Sequence, residues 1–146
     1  MIRDQDIREI FKQYHVIAVY GMSHNAQKAA HYVPAFLLRQ GYVIIPIHPT
    51  AGLILGLHCY KRLGEVPAHI DILEVFRPSA EVITITEEAV DRKKTRGDLR
   101  VIWLQDGIFN EQARKIAESA GIVFIQDRCM MKEYKRLCPE GTVSRR

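Results

Sequence analysis

Wherever an apolar run of this chain ends, a polar or conformationally special group follows. Val16-Ile17-Ala18-Val19-Tyr20 leads into Gly21-Met22-Ser23, and Tyr42 to Ile47 leads into His48-Pro49. Ile70 to Val75 leads into Phe76-Arg77-Pro78, Val101 to Leu104 into Gln105-Asp106-Gly107, and Ile122 to Ile125 into Gln126-Asp127-Arg128-Cys129. A glycine turn between a strand and a helix presents backbone N–H groups and a helix N-terminus, which suits a phosphate. The Ser23 hydroxyl adds a donor to that turn. Gln105 can reach a ligand through its amide or hold the turn that ends at Gly107. Cys129 stands just before a helical segment, where the helix N-terminus and Arg128 favour a thiolate. The competing reading of Cys129 is an inert buried thiol.

Other chemistries lack their residues. The run Gly21-Met22-Ser23-His24-Asn25-Ala26 is not G-x-G-x-x-G, and His48 stands where NAD enzymes place an acidic residue. Both departures count against an NAD(P)-dependent oxidoreductase, which stays as a rival reading. His24, His31 and His58 have no metal-ligand spacing, and no G-x-S-x-G elbow or Ser/His/Asp order appears. The charge balance is mild, 21 basic against 17 acidic residues for a net +4. Its basic residues are dispersed, with no basic face carrying interleaved aromatics, which makes nucleic-acid binding the weakest reading. Three cysteines without C-x-x-C spacing point to a reducing compartment, with cytoplasm the default. No export signal is visible, and Pro46 and His48 interrupt the longest apolar run before it reaches membrane length. The terminal Ser144-Arg145-Arg146 reads as a frayed end.

The elements that must position these groups alternate. Asp4 is expected to cap a helix carrying Ile7, Ile10, Phe11 and Tyr14 on one face, packed as a lid on the sheet. A helix from about Tyr32 places Pro34 in its first turn and ends at Gly41. Pro46 argues for an edge-like or kinked position of the second strand. Ala51 to Tyr60 reads as a poorly patterned connection with a short helix before Gly56, and Leu63 to Val66 as one helical turn. Ser79 starts a helix that runs to Lys94, Asn110 caps another, and a last helix covers Met130 to Leu137. Strands alternating with helices predict one α/β domain over residues 1–146, a doubly wound, Rossmann-like parallel sheet. All five polar strand ends then lie on one edge, where such sheets bind ligands.

The same stretches carry a family resemblance. Gly21-Met22-Ser23, Gly41 to Pro49, Asp71 to Arg77, Trp103 to Gly107 and Asp127-Arg128-Cys129 are similar to the small stand-alone CoA-binding domain proteins, themselves similar to the N-terminal domain of succinyl-CoA synthetase α subunits. The chain departs from the family at His48, where Asn is common, and at Pro78, where a second Arg is common. The resemblance implies coenzyme A or an acyl-CoA as ligand, bound without catalysis. It would place the pyrophosphate on the backbone of Gly21, Met22 and Ser23, with Lys28 and Arg77 as cations. His48-Pro49 and Phe76 would flank the adenine, with Gln105, Gly107, Arg128 and Cys129 completing the rim. Trp103 reads as core. A thiolate at Cys129 would allow a mixed disulfide with CoA, making the protein a redox sensor; this is the second rival. A homo-oligomer or a protein partner stays open.

Overall fold

The computed structural model describes residues 2–142, so the expected frayed end at Ser144-Arg145-Arg146 lies outside the described residues. Five strands form the main sheet: β1 (Val16–Tyr20), β2 (Val43–Ile47), β5 (Ile72–Val75), β6 (Val101–Leu104) and β7 (Val123–Ile125). All are parallel, in the order β2-β1-β5-β6-β7. Pro46 does sit on an edge strand, where its missing N–H leaves no gap in the ladder.

Helices cover both faces, as expected of a parallel sheet with few polar residues in its strands. On one face α1 (Asp4–Gln13), α2 (Ala29–Arg39) and α5 (Met130–Leu137) bury Phe11, Leu37 and Tyr134 against Val19, Ile72 and Trp103. On the other, α3 (Val82–Arg96) and α4 (Glu111–Ser119) bury Ile85, Ala89, Ala113 and Ala117 against Leu73, Val75 and Ile102. Asn110 caps α4 as expected, its Oδ1 accepting the Ala113 N–H at 2.9 Å. No helix among the described residues is long and apolar enough to cross a membrane.

Three local expectations are corrected. Arg3, not Asp4, occupies the N-cap of α1, and its N–H donates to Asp6 Oδ2 at 3.0 Å; Asp4 instead pairs with Arg136 of α5 at 2.9 Å. Between residues 51 and 60 there is a hairpin rather than a helix, formed by β3 (Leu53–Ile54) and β4 (Leu57–His58). Its turn residues Leu55 and Gly56 both have positive φ, +54° and +73°, the backbone a two-residue hairpin turn demands. Leucine is a poor signal for that conformation, which hid the hairpin. Finally, Ser79 opens a short 3₁₀ turn (Ser79–Glu81) rather than α3 itself, and its Oγ accepts the Phe109 N–H at 3.1 Å.

A buried ion pair locks α3 to the lower edge of the sheet. Arg92 and Asp98 are 4% and 2% exposed and meet at 3.0 Å. Arg92 also donates to the carbonyls of Leu63, Val66 and Ala68, and Asp98 Oδ2 accepts the Ile70 N–H. Burial pushes the Asp98 carboxyl up, but the hydrogen bonds from Arg92 and Ile70 outweigh it and hold it below its ordinary value. Every polar group of the pair thus has a partner, and removing one partner strands a buried charge. Arg92→Met should therefore lower the unfolding free energy by about 3–5 kcal/mol in urea titrations, far more than Met at an exposed arginine such as Arg100.

Candidate ligand-binding site

Chain order and sheet order part company at β1. The connection from β1 runs outward to β2 on one side, and the next strand, β5, pairs on the other side. Loops leaving β1 and β5 therefore diverge and leave a crevice at their carboxyl ends. A cavity of about 510 Å³ lies there, within the usual size of small-molecule sites. Gly21, Met22, Ser23 and Lys28 line it from the β1–α2 connection, His48 and Pro49 from the end of β2, and Phe76 and Arg77 from the end of β5. These are eight of the twelve residues expected from sequence.

The other four lie at the ends of β6 and β7, where the rim is closed. Gln105 and Cys129 are buried, at 7% and 4% exposure. The Gly107 N–H donates to Asp127 Oδ1 at 2.7 Å, and Arg128 pairs with Glu133 of α5 at 2.8 Å. Trp103 is fully buried core, and its indole N–H is held by the Arg128 carbonyl at 2.8 Å. Cys129 packs in the same buried cluster as Met22 and Trp103 and does not line the cavity.

Gly21 is required where it stands. Its φ is +89°, and a Cβ there would approach Arg77 Cδ to 2.8 Å and the Phe76 carbonyl oxygen to 3.3 Å. Only a residue without a side chain lets the β1 and β5 loops come this close.

The backbone of the turn is arranged differently from the expected phosphate cradle. The Gly21 N–H donates to the Ile47 carbonyl at 3.1 Å, and the Ser23 N–H to the Ala30 carbonyl at 3.1 Å. The cause is Pro34. Helix α2 starts at Ala29, three residues earlier than expected, with Lys28 as N-cap, so Pro34 falls in its second turn. Proline has no N–H to give the carbonyl four residues back, which is that of Ala30. Ser23 fills the vacancy. His31 Nδ1 then bonds the Ser23 carbonyl at 2.7 Å, so this nitrogen carries the proton. The turn is tied to the helix at both ends of one residue.

The Gly21 and Ser23 N–H groups are thus engaged, and further donors lie at the start of the next helix. Within the described residues no hydrogen bond is formed by the N–H groups of Ala29 and Ala30, at the start of an eleven-residue helix with no acid in its first turn and no side-chain cap. Ser23 Oγ accepts from the Asn25 N–H at 3.0 Å, which leaves its own proton to donate. Lys28 and Ala30 both reach the cavity wall.

Sequence reading missed Lys61, Tyr20, His24 and Glu81 as lining residues. Lys61 arrives through the unforeseen hairpin: Tyr60 bridges to Ile47, and the His48 N–H donates to the Tyr60 carbonyl at 2.9 Å. Arg77 is held at its Nε and Nη2 by Glu81, at 3.0 and 2.9 Å, in a pair about half exposed on each side. Such an exposed pair is weak and exchanges readily for a better anion. Tyr20 bonds Glu88 at 3.1 Å, and burial together with that carboxylate pushes its phenol up to about 12. His48 Nδ1 accepts the N–H groups of Thr50 and Ala51 at 3.1 and 3.0 Å. It therefore carries no proton, and Nε2 does. Burial, then His24 and Arg77, hold this imidazole below its ordinary pKa. The His24 and His48 rings lie 5.3 Å apart. No cluster of three or more His, Cys, Asp or Glu able to hold a metal is present among the described residues.

Comparison with known proteins finds relatives in sequence and in fold. A Bacillus subtilis protein, the uncharacterized YneT, is 34% identical over 125 residues, which cover 86% of this chain and 89% of that one. A Thermus thermophilus structure superposes with a TM-score of 0.86 at 34% identity, covering 93% of this chain and 99% of that one. A hypothetical protein from Pyrococcus horikoshii gives 0.87 at 32% identity, over 93% of this chain and 92% of that one. The dinucleotide-forming acetyl-coenzyme A synthetase 1 of Candidatus Korarchaeum cryptofilum shares the fold, with a TM-score of 0.66 at 23% identity over 82% of this chain and 27% of that one. The model of the CoA binding domain matches residues 15–135, from the start of β1 through most of α5 and thus across every residue of the cavity, and the chain belongs to that family.

Proposed function

We propose that this protein binds coenzyme A or an acyl-CoA in the cavity at the ends of β1, β2 and β5, and that it does so without catalysing a reaction. The observation that carries the reading is the convergence of Lys28, Lys61 and Arg77 on one cavity whose wall is the uncapped N-terminus of α2. Several phosphates on one ligand are what such a set is suited to hold. Lys28, Ser23 and the first N–H groups of α2 take the pyrophosphate, and Lys61 and Arg77 take the remaining phosphate. Pro49, Phe76 and the neutral His48 ring supply an apolar slot for the base.

The rival readings find less support in the same residues. For NAD(P), the end of β2 offers His48 in place of a carboxylate for the ribose hydroxyls. For a thiol sensor, Cys129 is buried and does not line the cavity. No acid and base face each other across the cavity, since its one carboxylate, Glu81, is bound by Arg77.

Calorimetric titration with CoA, acetyl-CoA, NAD and ATP tests the reading. CoA or acetyl-CoA should bind most tightly. Arg77→Ala and Lys61→Ala should each weaken CoA about tenfold, the equivalent of one charge-assisted hydrogen bond, with melting temperatures unchanged. Equal affinity for all four ligands, untouched by either substitution, overturns it.

The depressed His48 pKa sets a pH dependence. In the folded protein His48 holds its proton less tightly than in the unfolded chain, so its contribution is complete above the unfolded value of about 6.5 and declines as pH falls through the lower folded value. Between about pH 7.5 and 5.5, urea unfolding should show a larger loss of stability for the natural protein than for His48→Gln.

A further inference from the structure

The sheet face beneath the cavity floor holds polar atoms that nothing in the fold explains. Glu74 is completely buried in the central strand β5, and neither carboxyl oxygen has a hydrogen-bond partner. Gln105, 7% exposed just past the end of β6, has a buried Oε1 that is likewise unpartnered. Leaving such groups unpaired destabilises a fold unless something else meets them.

Strand geometry puts the two on one side of the sheet. Side chains alternate along a strand. Leu73 and Val75 face α3 and α4, so Glu74 faces the opposite layer with Ile72. In register it lies between Val19 of β1 and Trp103 of β6, both in that layer. Gln105 follows Trp103 by two residues and continues the pairing, its N–H donating to the Val75 carbonyl at 3.3 Å. The cavity borders this layer: Met22 and Phe76 line it and pack in the same cluster as Trp103. Met22 is the unbranched, adaptable side chain that separates cavity from layer.

The two groups differ in what they offer. Burial lifts the Glu74 carboxyl to about 8, so it is un-ionised at neutral pH and has an O–H to donate. Gln105 Oε1 can only accept. A donor and an acceptor on one face match the C=O and N–H of an amide.

We propose that Glu74 and Gln105 form an inner subsite, reached past Met22 and Phe76, for the amide-bearing arm of the ligand. Glu74 donates to an amide carbonyl of the arm, and Gln105 Oε1 accepts an amide N–H. The proposal rests on the CoA reading, since the pantetheine arm is the amide-bearing part of that molecule. It also explains why an unpaired acid persists in the core: the arm supplies the missing partners.

Adenosine 3′,5′-bisphosphate, which has the nucleotide end of CoA but no arm, separates this subsite from the rest. Binding of CoA and of the bisphosphate should be measured for the natural protein, Glu74→Met, Glu74→Gln and Gln105→Met. Glu74→Met should raise the melting temperature, because it removes an unpaired polar group at similar volume. It should also weaken CoA about tenfold, one buried hydrogen bond, while bisphosphate affinity stays within about twofold. Glu74→Gln keeps a donor and should retain most of the CoA affinity, and Gln105→Met should behave as Glu74→Met does towards both ligands. Should Glu74→Met fail to fold, Gln105→Met at the rim decides alone. CoA affinity unchanged in the Met variants, or both ligands weakened equally, overturns the subsite while leaving the CoA reading standing. A natural protein that binds neither ligand overturns the CoA reading itself.

Discussion

Everything about the site follows from one reversal in how the sheet is laid down. Five parallel strands carry all their carboxyl ends to one edge. The order β2-β1-β5 makes the connections after β1 and β5 leave in opposite directions, and the edge opens between those two strands. Gly21 exploits the opening from one side and Arg77 from the other, and they approach too closely for any side chain on residue 21. At β6 and β7 the loops are instead tied to each other, the Gly107 N–H by Asp127 and the Arg128 carbonyl by the Trp103 indole.

Within that opening, a single missing proton donor reorganises the turn. Pro34 leaves the Ala30 carbonyl without its helical partner, and Ser23 takes the place. The strand end and the helix start are thereby joined by a bond that belongs to neither element. The Ser23 N–H is thereby engaged, while the N–H groups of Ala29 and Ala30, beside Lys28, form no hydrogen bond within the described residues. His48 is fixed in a comparable way: two backbone N–H groups on Nδ1 settle its tautomer and keep it neutral.

Two buried acids show opposite solutions to the same problem. Asp98 is surrounded by Arg92 and a backbone N–H, and its charge is retained because every oxygen is met. Glu74, in the middle of the sheet, has no partner and keeps its proton instead. The first arrangement belongs to the architecture. The second is the feature on which the inner subsite is proposed.

Most of the architecture was legible in the sequence. Alternating apolar strands and amphipathic helices, Asn110 as a cap, Pro46 on an edge and Trp103 in the core can all be read from local pattern, because each depends on neighbours along the chain. The common edge for the five polar strand ends is legible too, since parallel strands admit no other arrangement. Local pattern does not reveal the hairpin at Leu55-Gly56, where a leucine adopts a conformation its type disfavours, and with it goes the position of Lys61. Nor does it show which strand ends open and which close: Gln105, Gly107, Arg128 and Cys129 resemble the cavity residues in type and in place along their strands. Strand order separates them, and strand order is set by long-range packing of both faces. The amino-acid sequence by itself determined the parallel α/β fold and the rim on which polar groups gather. Tertiary structure alone decided which eight of the twelve share a cavity and which donors stay available, because both depend on contacts between residues far apart in the chain.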